Sequence, residues 1–299
     1  MKNLLTAALV FSLLFSSCGL KKKPAGEASV EDTGNLKQFE LVEAWRTDTL
    51  FLVPESVIYD RDNDVVYVSN LNYEPRKKDG NGFISKLSTD GEILNLKWVE
   101  GLSSPKGMGI FDGKLYVSDV DEVVVIDITA GKIIQRIPVE GAGMLNDITV
   151  DDSGNVYVSD TDGNCIFLIS NGVVSSWLAT GLNAPNGLLI DGERLLLAST
   201  GSQDFVAIDL ATKEVTMITG GINAGDGIAR TSIPGHSLVS DWNGEVFLVY
   251  PDGRKASLLN TKEKGIGSAD IDYIPEKNLL LVPTFYGQNV VAYNLVEKK

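Results

Sequence analysis

The chain has a single histidine, two cysteines and four methionines in 299 residues. One histidine rules out any site built on a histidine pair or triad, and with it most catalytic zinc geometries. One cysteine, Cys18, lies at the end of an N-terminal leader, which leaves Cys165 with no partner for an internal disulfide. Cys165 sits in "NCIFLIS", an apolar strand-like run, and is expected to be a buried and inert thiol. Basic residues are outnumbered, 26 against 40 acidic, for a net charge of −14. That balance argues against a nucleic-acid partner. No apolar run reaches the roughly 18–20 residues of a membrane-spanning helix. No segment sustains a helical period either, so the chain reads as all-β.

The leader is "MKNLLTAALVFSLLFSSC": Lys2, then an apolar stretch, then small residues before Cys18. It reads as a secretory signal over residues 1–17. "LFSSCG" resembles the lipobox of bacterial lipoproteins, which implies cleavage before Cys18 and a lipid on its thiol. Residues 18–37 are polar with Gly and Pro and read as a flexible tether. These features place the protein in the cell envelope, probed from sequence as periplasmic and lipid-anchored. The anchor is its only expected membrane contact, and the folded part is expected to be a monomer.

From residue 38 to 299 the chain repeats itself. Segments beginning "PESVIYD", "PKGMGIF", "LNDITVDD", "PNGLLIDG", "GDGIAR" and "SADIDYI" carry one equivalent position at 55, 106, 146, 186, 226 and 269. The steps are 51, 40, 40, 40 and 43, and the long one contains the insertion "LNYEPRKKDGNG". A period near 40 signals a propeller. Within a repeat, as in "DITVDD", "VYVSD", "CIFLIS" and "VVSSWLAT", four strands are separated by turn signals, including an Asn-Gly. The expectation is a six-bladed β-propeller of four-stranded antiparallel blades. The last repeat lacks a fourth strand, and "QFELVEAWRTDTLF" near residues 38–50 is expected to supply it and close the ring.

In a propeller, equivalent positions meet around the axis. The ring is Glu55, Lys106, Asn146, Asn186, Asp226 and Ala269. Two carboxylates and two amide carbonyls suit a hard divalent cation such as Ca²⁺. Asp147 and Asp270 stand just behind it. Lys106 has two readings: a contact for a substrate carboxylate or oxyanion, or an ammonium that pairs with Glu55 and fills the site. A second series, Asn70, Asp119, Asp160, Thr200, Asp241 and Thr284, follows the second strands and is expected to cap loops. Trp45, Trp98 and Trp177 are expected to pack between blades. Trp242 and Tyr286, in loops at the ring's face, are candidate substrate contacts, and the insertion is a candidate lid. His236, in "IPGHSL", is placed in a turn away from the ring.

The signatures "PES", "LND", "PNGL" and "GDGI", one per blade, resemble the senescence marker protein/gluconolactonase family that includes regucalcin, and the related paraoxonases and diisopropylfluorophosphatases. The resemblance spans about residues 39–299. It implies a catalytic divalent cation, most simply Ca²⁺, with Zn²⁺, Mn²⁺ or Mg²⁺ as alternatives. Glu55, Asn186 and Asp226 match its ligands, and Asn146 matches an asparagine that binds metal or substrate. It also implies Asp226 as base or nucleophile and a lactone or small ester as substrate. Lys106 departs from it, standing where the paraoxonase branch has a histidine. Two functions remain open: a metal-dependent hydrolase with Asp226 and Lys106 catalytic, or a non-catalytic propeller that binds a ligand or protein at the envelope.

Overall fold

The computed structural model describes residues 38–298. The leader, the tether and Cys18 lie outside them. Among the described residues no helix is long and apolar enough to cross a membrane. Six four-stranded antiparallel sheets form the blades of a six-bladed β-propeller. Helical structure among these residues is limited to short 3₁₀ turns at Lys262–Lys264, Pro275–Lys277 and Phe285–Gly287.

The innermost strands of blades one to five are Pro54–Asp60, Pro105–Phe111, Leu145–Val150, Pro185–Asp191 and Gly225–Arg230. Blade six begins on Asp272–Ile274, and a parallel bridge between Ser56 and Asp270 joins it to blade one. The apolar residues of each strand alternate between neighbouring blades, as the two-residue period of a strand requires. Val65, Tyr67, Ile84 and Leu102 of blade one thus share a core with Leu115, Val117, Val124 and Ile126 of blade two.

Blade six takes its outermost strand from the other end of the chain. Phe39–Arg46 pairs antiparallel with Val290–Glu297, from Phe39 opposite Glu297 to Arg46 opposite Val291, with a bulge between Glu43 and Trp45. The closing strand is also tied to blade one, where Trp45 Nε1 donates to the Thr89 carbonyl at 3.1 Å. The two ends of the ring share a core of Phe51, Val57, Val66, Leu281, Val290 and Ala292, with Trp45 packed against it. Trp98 and Trp177 lie on the outer strands Ile93–Leu102 and Val173–Leu178, where Trp98 stacks on Tyr67 and Trp177 meets Tyr157 edge-on.

The recurring "VSD" has a structural meaning. Its serine, on the second strand, reaches between inner strands. Ser118 Oγ donates to the Asn146 carbonyl of the next blade, and Ser240 Oγ does the same to Ala269 at 2.8 Å. Thr161 and Thr200 donate onward to the carbonyls of Pro185 and Gly225 at 2.8 and 3.0 Å. The acidic residue caps the loop that leads into the ring. Asp119 accepts from the amides of Ser103 and Ser104, and Asp160 from Gly143 and Met144. The backbone at or next to Asn146, Asn186, Asp226 and Ala269 is thus tied to the preceding blade.

Candidate functional site

The ring residues Glu55, Lys106, Asn146, Asn186 and Asp226 line one cavity of about 350 Å³, and Trp242 and Tyr286 line it with them. The sixth ring residue, Ala269, is fully buried and packs with Val53, Leu71 and Phe285. At this size the cavity stands near the lower end of the roughly 300–1,000 Å³ usual for small-molecule sites.

The five polar ring residues are all buried. The amide nitrogens of Asn146 and Asn186 point outward to Thr161 Oγ1 at 3.1 Å and Thr200 Oγ1 at 3.5 Å. Since each hydroxyl donates its proton to a backbone carbonyl, it accepts from the amide, and this fixes the amide orientation. Asn186 Oδ1 and Glu55 Oε2 are buried acceptors with no hydrogen-bond partner. Leaving such an atom unsatisfied costs about 1–3 kcal/mol, more for a charged group.

The electrostatics follow from burial. Burial pushes Glu55 up to about 8, the Asp270 carboxyl adds to the shift, and Lys106 works against it. Burial likewise holds Asp226 well above the usual carboxylate range, with Glu55 and Asp270 raising it further and Asn186 offsetting part. Burial lowers Lys106, against the pull of Glu55 and Asp119. Behind the ring, Ser56 Oγ donates to Asp270 Oδ2 at 2.5 Å, and Asp147 accepts the amides of Ile148 and Leu188 at 2.6 and 2.5 Å. Burial raises Asp147 well above the ordinary range and Asp270 to about 7. The floor is thus an acidic, desolvated layer with few positive partners. Gly107 and Gly187, next to the ring residues of their blades, let the inner strands close on it; a Cβ there would strike Asp147 and the Asp226 carbonyl.

Lys106 does not fill the site by pairing with Glu55. Its ammonium donates to the carbonyls of Pro75 at 3.0 Å and Ser104 at 3.1 Å, and to Ser104 Oγ at 3.3 Å. Three donors meet three acceptors, so the charge reaches the cavity while its N–H groups are engaged elsewhere. Pro75 belongs to the insertion, which covers this face. Arg76 makes a two-pronged ion pair with Asp162 of blade three at 2.9 and 3.0 Å, and Lys78 pairs with Asp121 of blade two at 2.5 Å.

The insertion expected over this face supplies Leu71, Pro75 and Arg76, while Met144, Thr161, Ala224 and Phe285 of the lining were missed by sequence reasoning. Phe285 stands beside Tyr286 in a loop already singled out, so adjacency was an available signal. Of the series expected to cap loops, Asn70 accepts the Leu52 amide at 3.1 Å, as Asp119 and Asp160 accept theirs, whereas Thr200 lines the cavity and holds Asn186. His236 is half-buried in the turn between Gly225–Arg230 and Ser237–Asp241, away from the ring and hydrogen-bonded to the Pro234 carbonyl at 3.0 Å. Cys165 differs from expectation. It is half-buried rather than buried, because it opens its strand, and burial still raises its thiol.

A resident cation can be tested against these residues. Among the described residues no three His, Cys, Asp or Glu side chains gather around one point as metal ligands would. A cation in the cavity would instead have two carboxylates, Glu55 and Asp226, and two amide carbonyls. The unsatisfied Glu55 Oε2 and Asn186 Oδ1, and amides turned with nitrogen outward, fit a cation and not an anion. The donor set is all oxygen, which suits Ca²⁺ or Mg²⁺ better than Zn²⁺.

No family model and no curated protein matches the sequence. Solved structures do match in fold. One described as a "putative gluconolactonase" is 16% identical, with a TM-score of 0.64 over 87% of this chain and 93% of its own. An inactive variant of virginiamycin B lyase from Staphylococcus aureus, with quinupristin, is 13% identical, with a TM-score of 0.60 over 87% of this chain and 100% of its own. A chain of a nidogen–laminin complex is 18% identical, with a TM-score of 0.62 over 74% of this chain and 84% of its own. At these identities the likeness defines the class of fold: a six-bladed propeller, an architecture that carries hydrolase-like, lyase and protein-binding members.

Proposed function

We propose that this propeller is a divalent-cation-dependent hydrolase of a lactone or small ester, with the cation held by Glu55, Asn146, Asn186 and Asp226. The reading is carried by Glu55 Oε2 and Asn186 Oδ1, two buried acceptors without a donor on residues that line one cavity. Burial holds the Glu55 and Asp226 carboxyls toward the neutral form, and a cation bound between them would favour their ionised form.

When bound, the cation would supply Lewis-acid polarisation of the substrate carbonyl. Asn146 and Asn186, locked by Thr161 and Thr200, present their carbonyl oxygens and hold the geometry without adding charge. Asp226 accepts the proton of the attacking water and returns it to the departing alkoxy oxygen. Lys106 contributes as a buried positive charge that favours the oxyanion, since its N–H groups are engaged by Pro75 and Ser104. Anchoring at the cell envelope through Cys18, with the propeller as a monomer, completes the proposal and rests on sequence alone.

The test is elemental analysis of the purified soluble domain, followed by a lactone and ester screen with and without added Ca²⁺. A cation bound in about one-to-one ratio and cation-dependent turnover support the reading. A domain that neither holds nor responds to Ca²⁺, Mg²⁺, Mn²⁺ or Zn²⁺ overturns it.

The engagement of Lys106 favours a second reading, a non-catalytic propeller that binds a ligand or protein at this face. Ca²⁺ binding with no turnover across the screen would support it.

A further inference from the structure

The floor of the cavity is polar, but the walls above it are not. Leu71, Met144, Ala224, Trp242, Phe285 and Tyr286 line it there. Three of these form an aromatic cluster, each ring edge-on to the others. Centroids are 5.2 Å apart for Trp242 and Phe285, 6.1 Å for Trp242 and Tyr286, and 4.8 Å for Phe285 and Tyr286. Phe285 is buried and holds a φ of 52°, in the left-handed region that a bulky side chain avoids. That strained turn puts Phe285 behind the other two rings. Trp242 and Tyr286 are left 36% and 62% exposed, large apolar faces at the rim of a cavity. The same three rings line an adjoining chamber, so the wall continues beyond the ring site.

The threonine hydroxyls of the walls are committed. Thr161 and Thr200 each donate to a backbone carbonyl, and the Arg76 guanidinium is bidentate on Asp162. A ligand rich in hydroxyls would exchange water for unmatched apolar surface there, which is unfavourable. A ligand with an apolar face would cover exposed ring surface and gain by burial and ring contact.

We infer that the ligand of this cavity carries an apolar, ring-bearing group that lies on Trp242 and Tyr286 while its carbonyl end meets the polar ring, and that polyhydroxylated sugar lactones are poor ligands. This rests on the hydrolase reading for the identity of the reacting group, but the recognition is independent of turnover. Two lactams, which resist hydrolysis, separate the two: 5-phenylpyrrolidin-2-one and the polyhydroxylated lactam of gluconic acid. Calorimetry should show the phenyl lactam binding at least about tenfold tighter. Trp242→Ala and Tyr286→Ala should each remove most of that preference and leave the sugar lactam unchanged, while Trp242→Phe keeps it. Melting curves of the variants confirm that they fold. Equal affinities, tighter sugar-lactam binding, no binding of either, or a preference untouched by both alanine variants would overturn the inference. Hydrolysis of the matching lactones is measured in parallel. A preserved phenyl preference without turnover overturns only the hydrolase reading, and turnover of the sugar lactone without the preference overturns only this inference.

Discussion

The ammonium of Lys106 lies 3.0 Å from the backbone carbonyl of Pro75, so a residue of the axial ring is held by the insertion that covers its face. A cation placed beside Glu55 and Asp226 would feel that positive charge. Lys106→Met keeps the bulk and removes the charge. Affinity for Ca²⁺ should rise about tenfold, the effect of removing about 1.4 kcal/mol of repulsion, while lactone hydrolysis falls. Calcium titration by calorimetry checks the first part, and an unchanged or weaker affinity would show that the charge is not felt at the site.

Asp226→Asn retains the shape of the side chain and removes a carboxyl whose ionised form burial opposes. The cation-free domain should melt at the same temperature or slightly higher. The rise in melting temperature with added Ca²⁺ should vanish, because that rise is mass action through the site. Thermal melts of parent and variant, with and without Ca²⁺, are sufficient. A variant that keeps the full Ca²⁺-dependent rise would remove Asp226 from the ligand set.

Burial raises Glu55 to about 8, Asp270 to about 7 and Asp272 to about 6. Each folded-state value stands above that of the unfolded chain, so the native state binds more protons. The stability these groups contribute is complete below about pH 4 and is lost as pH rises to about 8. Each carboxyl withdraws at most about 1.4 kcal/mol per pH unit across its window, which is a few degrees of melting temperature for a domain of this size. The cation-free melting temperature should therefore fall between pH 5 and pH 8.5, and added Ca²⁺ should restore most of the loss at the upper end. A flat profile would mean that these carboxyls are not desolvated as described.

Trp45 joins the closing strand to blade one. Trp45→Ala removes its hydrogen bond to Thr89 and its packing on the shared core. Because the ring is only half-buried, the expected loss is about 2 kcal/mol, below the 3–5 of a fully buried tryptophan. Deleting residues 38–46 should abolish a cooperative transition altogether. Denaturant melts test both, and a truncated domain with an unchanged midpoint would refute closure by this strand.

The propeller and its ring were legible because both are periodic. One residue per repeat, at steps of 40 to 51, converges on an axis wherever the repeats stand, so Glu55, Asn146, Asn186 and Asp226 could be placed together without coordinates. The closing strand was legible because a repeat lacked one. What periodicity does not encode was missed. Arg76 reaches blade three from an insertion in blade one, and nothing local to "YEPRKKDG" tells which blade it meets. Two of the three acceptors of Lys106 are backbone carbonyls, which carry no sequence signal. Phe285 enters the wall with its own backbone left-handed, a conformation its side chain argues against.

Pairing Phe39–Arg46 with Val290–Glu297 also sets the order in which the molecule can come into being. The earlier strand waits for the later one, and until then one edge of blade six stands open. The cavity's polar residues come from blades one to five, but the ring around them shuts only when Val290–Glu297 has joined Phe39–Arg46. Such remote pairing is slow.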